Sequence, residues 1–145
     1  MQELPHHYHV SAKASPEGTI TLAGNDLPAL ETAPPKEFGG PGGYWSPEAL
    51  LVGAVTDCFI LTFRAIARAS KLDWSALECS TEGKLERIDR VTRFTELTVT
   101  AHLTVPAGTD ADKAKQLLEK AESNCLVSNS LNSTIHLHAT VNQAD

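Results

Sequence analysis

The chain's 145 residues fit one domain of ordinary size, long enough to bury a core without disulfide or metal staples. Hydrophobic residues make up 41% and charged residues 21%, a globular balance that excludes a disordered chain, and the net charge of −6 argues against nucleic acid or an anionic membrane as partner. No apolar run reaches the roughly 18 residues of a membrane span, and the start MQELPHHYHV lacks the basic flank and apolar stretch of a signal peptide, so the expected location is cytoplasmic.

Residues 6–13 and 19–23 are short β-type runs, and Ser15-Pro16-Glu17-Gly18 between them supplies turn chemistry, so a hairpin is expected. Residues 25–30 add a candidate third strand. Residues 33–46 (APPKEFGGPGGYWS) form a Pro/Gly-rich stretch, read as an ordered crossover because too little chain precedes it to make a separate domain. Ser46 is a good N-cap, Pro47 suits the first helical position, and Glu48 places a negative charge in the first turn, which together predict a helix from Pro47 to about Ser70. Between Ala49 and Phe63 that helix is almost wholly apolar, with Thr56 and Asp57 the main interruptions. Burial on most sides is therefore expected, with a second subunit covering one face.

Residues 77–88 and 93–105 read as two long strands joined by a turn at Asp89-Arg90. The second alternates cleanly, with Leu97, Val99, Ala101, Leu103 and Val105 on one face. Thr109 or Asp110 can cap a helix over residues 110–124, whose Ala114, Leu117, Leu118 and Ala121 make one stripe. Residues 125–133 (CLVSNSLNS) read as a turn or helical piece, and residues 134–141 as a final strand. The sum is α+β: an antiparallel sheet, a buried central helix and an outer helix in a single domain over residues 1–145.

Three cysteines, Cys58, Cys79 and Cys125, are too few and too scattered for a disulfide framework, and no CxxC pair is present. Cys58 lies inside the apolar helix, with Leu51, Ala54, Val55, Leu61, Thr62 and Ala65 on its side. Such a thiol is either an inert core side chain or, given an opposing cation or a strong hydrogen-bond donor, a nucleophile. Cys125 follows a helix end among Ser123, Asn124, Ser128 and Asn129, a setting able to present its sulfur to another. The residues alone leave open a catalytic pair or two unrelated thiols. Cys79, in a strand of mixed polarity, reads as a bystander. His6, His7 and His9 lack a carboxylate or cysteine at ligand spacing, so no metal is expected.

The stretch FGGPGGYWSPEALLVGAVTDCF resembles the glycine-loop, Pro-Glu and buried-helix cysteine signature of the OsmC/Ohr family (osmotically inducible protein C and organic hydroperoxide resistance protein), and NCLVSNSL resembles that family's second cysteine motif. The resemblance implies an OsmC-like fold in an intertwined homodimer. It implies a cofactor-free thiol peroxidase in which Cys58 attacks an organic hydroperoxide, Cys125 resolves the sulfenic acid as a disulfide, and an external dithiol reductant restores both. Glu48 matches the family's helix-start glutamate. Continuous helix geometry places it about 15 Å from Cys58, so a bend or a second subunit would have to bring the two together. Tyr44 and Trp45 either wall the substrate pocket or merely pack the loop; with Leu51, Val55 and Leu61 they are the candidate substrate-binding residues. The peroxidase members carry an arginine in the first hairpin, whereas this chain has none before Arg64; Lys13 is the nearest cation there. Arg87, Arg90 and Arg93 surround the second hairpin turn and read as a solvated cluster. The missing arginine favours an alternative: a non-catalytic dimer of the same fold that binds an apolar small molecule or senses redox state.

Overall fold

A computed structural model describes all residues from Met1 to Asp145. The chain packs as two compact units, Met1–Leu50 and Leu51–Asp145. In the first, β1 (Val10–Lys13), β2 (Ile20–Gly24) and β3 (Leu30–Thr32) form an antiparallel sheet in chain order. The expected hairpin is present, but β1 starts four residues later than read, and the chain turns at Gly24–Leu27 before β3 begins, so residues 25–29 are not strand. The Pro/Gly-rich stretch is an ordered crossover. The Ala33 N–H donates to the Trp45 carbonyl at 3.0 Å, and a Cβ on Gly40 would sit 1.7 Å from the Pro34 carbonyl oxygen, so only glycine fits there.

The long helix α1 (Pro47–Ala69) starts as its sequence dictates, the Ser46 hydroxyl accepting from the Ala49 N–H at 3.1 Å. It ends where Lys71 takes a left-handed conformation (φ 55°) and the Leu72 N–H donates back to the Ala67 carbonyl at 2.9 Å. Only Val55, Phe59, Phe63 and Ala67 are buried, a single stripe at four-residue spacing. The expectation of burial on most sides is thus corrected for the single chain: one sheet covers one stripe, and Leu61 stays 57% exposed. The reading that no apolar run reaches membrane length is corrected too. α1 is long and apolar enough to span a membrane by length and composition, with a mean hydropathy of 1.8 in its most apolar window. Its buried stripe nonetheless packs into the core of the second unit, the behaviour of a core helix.

In the second unit, β4 (Ala76–Ile88) and β5 (Val91–Val105) pair antiparallel around a two-residue turn in which Asp89 (φ 51°) and Arg90 (φ 69°) are both left-handed. The sheet order is β4–β5–β6, and β6 (Thr134–Gln143) runs parallel to β5. This corrects the expectation of a purely antiparallel sheet: the return through α2 (Ala111–Asn124) and α3 (Leu126–Asn129) is a helical crossover, the connection a parallel neighbour needs. Asp110, not Thr109, caps α2; its carboxylate accepts from the N–H groups of Asp112 and Lys113 at 3.0 and 3.2 Å.

Leu97, Val99, Ala101, Leu103 and Val105 of β5 point to one side, where the α1 stripe and Ala114, Leu117, Leu118 and Ala121 of α2 close the core. Gly83 lets α1 lie close to β4. A Cβ there would meet Val52 and Phe94 at 2.9 Å and Leu97 at 3.0 Å. One residue pair further along, the Thr56 hydroxyl donates to the Val52 carbonyl (2.8 Å) and meets the Thr81 hydroxyl (2.7 Å). Phe63 stacks edge-on against Trp74, the ring centroids 5.5 Å apart. These contacts hold α1 against the sheet, and so set where its midpoint residue, Cys58, emerges.

Candidate active site

Cys58 sits halfway along α1 on the flank of the buried stripe, half-buried between buried Phe59 and exposed Asp57. Its sulfur lies 3.8 Å from the Thr62 hydroxyl one turn on. Cys125 is the joint between α2 and α3. Its N–H donates to the Glu122 carbonyl at 3.3 Å, its own backbone is extended (φ −67°, ψ 110°), and α3 starts at the next residue. It is 1% exposed, and both thiols are free.

Each of these thiols influences the ionisation of the other, although 67 positions separate them in the chain (125 − 58). Burial is the largest influence on the Cys58 thiol and pushes its pKa up. The N–H of Val127, the Cys125 thiol, the Thr62 hydroxyl and the N–H of Leu126 oppose it, and together they hold Cys58 below the ordinary thiol value. Every group acting on this sulfur is a dipole, not a cation. Two of these groups are the backbone amides of Leu126 and Val127, at the start of the four-residue α3. Cys125 moves the opposite way. Burial raises its pKa most, and its bond to Cys58 raises it further, only partly offset by Ser128. The Ser128 hydroxyl, itself buried, donates to the Cys125 sulfur at 3.4 Å. The pair is therefore polarised: Cys58 ionises first, and Cys125 keeps its proton and donates it.

The other expected residues lie as follows. Glu48 is in the first turn of α1, and its Oε1 is buried with no hydrogen-bond partner. Tyr44 and Trp45 are each 51% exposed on the crossover of the first unit. Leu51 is half-buried and Leu61 exposed, but Val55 is sealed in the core and has no surface to offer a ligand, because it lies on the stripe that packs against the sheet. Arg87 and Arg90 are exposed at the second hairpin turn, and Arg93 acts weakly on Glu86. Cys79, on the core side of β4, is pushed up to about 11 by burial. His6 meets the Tyr8 hydroxyl at 3.1 Å, and no three His, Cys, Asp or Glu side chains converge on a metal position.

Sequence reasoning named Ser128 only as part of a polar setting for Cys125, and missed the amides of Leu126 and Val127. Backbone donors carry no residue signature. The available signal was the Cys125-x-x-Ser128 spacing at a short helical piece, which puts both side chains at one helix start.

Comparison with known proteins now bears on this pair. The family model described as OsmC-like protein matches residues 40–140, a span that includes both cysteines. The chain belongs to the OsmC-like family. An uncharacterized protein, YmaD, of Bacillus subtilis is 31% identical over 143 residues, covering 91% of either chain. Among solved structures, an OsmC-like protein of unknown function from Vibrio cholerae superposes with a TM-score of 0.85 at 14% identity, over 94% of this chain and 100% of that one. An organic hydroperoxide resistance protein from Legionella pneumophila superposes with a TM-score of 0.74 at 24% identity, over 96% and 98%. At those identities the likeness is one of fold, and the fold is OsmC-like α+β.

Proposed function

We propose that this OsmC-like protein is a cysteine-based peroxidase that reduces organic hydroperoxides through Cys58 and Cys125. The observation that carries the reading is the setting of the two thiols: a half-buried Cys58 whose sulfur lies 3.8 Å from the Thr62 hydroxyl and whose pKa is lowered, coupled to an enclosed Cys125 whose pKa is raised. The Cys58 thiolate attacks the outer peroxide oxygen. The O–O bond breaks, an alcohol leaves after taking a proton, and Cys58 becomes a sulfenic acid. Cys125 then forms the disulfide as water departs, and an external dithiol returns both thiols.

The missing hairpin arginine is compensated in this reading by the start of α3. Preorganised N–H dipoles stabilise negative charge on sulfur as a cation would, at no reorganisation cost. The names of relatives such as the Legionella protein supply the substrate class, and exposed Leu61 and half-exposed Leu51 suit a carbon tail. Leu61 of α1 is left exposed in the single chain, which supports a homodimer; the protomers are taken as single-domain and cytoplasmic.

The test is direct. Reduced protein is mixed with one equivalent of an alkyl hydroperoxide while free thiols and intact mass are followed. Rapid loss of two thiols with a Cys58–Cys125 disulfide is expected, with Cys58→Ser inert and Cys125→Ser halting at a trappable sulfenic acid. Oxidation no faster than that of a free small thiol overturns the proposal and favours the ligand-binding or redox-sensing reading.

A further inference from the structure

Ser128 spends its hydroxyl in an unusual way. Serine and threonine in helices commonly donate back to the carbonyl four residues earlier. Thr56 does so to Val52 (2.8 Å), Ser123 to Glu119 (3.2 Å) and Ser130 to Leu126 (2.8 Å). Ser128 is buried at 6% exposure, has no carbonyl of its own short helix four residues back, and donates to the Cys125 sulfur at 3.4 Å. A buried hydroxyl needs a partner, yet a neutral thiol is a weak acceptor and a poor use of one. The same contact becomes strong only when the sulfur carries negative charge. Cys125 is otherwise enclosed, so no solvent competes for that role.

Resting on the peroxidase reading, we propose that Ser128 is a positioning residue for the second half-reaction: its hydroxyl aims the Cys125 sulfur and stabilises the charge that develops there as it attacks the Cys58 sulfenic acid. In that step the Cys125 S–H gives its proton to the oxygen on Cys58, the S–S bond forms, the S–O bond breaks and water leaves. No outside electrons are needed, because the organic hydroperoxide, already reduced to its alcohol, has supplied the oxidation. An interaction worth more at the transition state than in the resting thiol accelerates this step and leaves the first untouched. Ser128 reaches the Cys58 sulfur only through Cys125, so the first step should depend on it far less than the second.

The experiment is a single-turnover comparison of native protein, Ser128→Ala and Ser128→Thr, all carrying Cys79→Ser so that two thiols remain to be counted. Each is mixed with tert-butyl hydroperoxide, and quenched samples are read by intact mass with and without dimedone. In Ser128→Ala, formation of the Cys58 sulfenic acid is expected to stay within about twofold of native. Disulfide formation is expected to slow about tenfold to a hundredfold, the size of one hydrogen bond to a charged group, so that the dimedone adduct accumulates. The resolving step should also shift to higher pH, and Ser128→Thr should restore it. Resolution in Ser128→Ala as fast as native overturns the inference while leaving the peroxidase reading intact. Equal slowing of both steps also overturns it, since that marks a general disturbance of the site. A native protein that forms no sulfenic acid overturns the peroxidase reading, and the inference falls with it.

Discussion

If the amides of α3 hold Cys58 as a thiolate, deleting one should weaken it, and the structure offers a clean way to delete one. Leu126 occupies the first position of α3, its side chain is 70% exposed, and its N–H is the weakest of the donors acting on Cys58. Proline is tolerated at the first helical position, and the residue before a proline must be extended. Cys125 already is, at φ −67° and ψ 110°. Leu126→Pro therefore removes a donor without disturbing the backbone or the core. The same change at Val127 would force helical Leu126 out of place. One hydrogen bond contributes about 0.5–1.5 kcal/mol net. At about 1.36 kcal/mol per factor of ten, that is roughly a two- to twelvefold fall in thiolate at fixed pH. As the weakest donor, Leu126 should fall in the lower half of that range. The assay is the pH dependence of Cys58 alkylation by iodoacetamide, followed by mass in a Cys79→Ser background, with Leu126→Ala as the control that keeps the amide. The Cys58 profile should shift to higher pH in the proline variant alone. An unshifted profile in a folded Leu126→Pro protein, or an equal shift in Leu126→Ala, refutes the idea that backbone dipoles replace the arginine.

Other consequences are simpler to check. Gly83→Ala should destabilise the protein by about 1–3 kcal/mol, since its methyl group meets Val52, Phe94 and Leu97 at 3.0 Å or less; urea midpoints would show it. Phe63→Ala should cost about 3–5 kcal/mol and alter the fluorescence of Trp74, whose edge contact it removes. Asp110→Ala should cost about 1 kcal/mol, because two amides at the start of α2 lose their acceptor. Cys79 is neutral and favoured by burial in the native state, so its contribution to stability is complete below the ordinary thiol value of 9.0 and is lost as pH rises through about 11. Cys79→Ala should flatten the alkaline fall of the urea midpoint, and an unchanged slope would show that the thiol is better solvated than its position implies.

Much of this architecture is legible in the residues. Ser46-Pro47-Glu48 marks the start of α1 because caps and dipoles act within one turn, and the alternation from Leu97 to Val105 marks β5 because a half-buried strand repeats every two residues. What escapes is what depends on partners far along the chain. The apolar run of α1 tells that it avoids water, but not that a single sheet covers a single stripe of it. The direction of β6 follows from a crossover whose length alone did not announce a parallel neighbour. At the site, Cys58 and Cys125 could be named but not judged, because a thiol buried in apolar surroundings and a thiol buried beneath two amides have the same letters around them. The donors that decide between these are backbone groups of Leu126 and Val127, the one kind of ligand that a sequence gives to every residue alike.

The enclosure of Cys125 also puts a direction on recovery. A dithiol reopening a Cys58–Cys125 bridge departs most easily with the more acidic sulfur as leaving group, which is Cys58, and so should strike Cys125. Yet Cys125 is the sulfur that solvent cannot reach, while the reachable one would expel the poorer leaving group. On the peroxidase reading, the reductant therefore either accepts the poorer leaving group at Cys58 or waits for Cys125 to be uncovered, and the two routes differ in which mixed disulfide forms first.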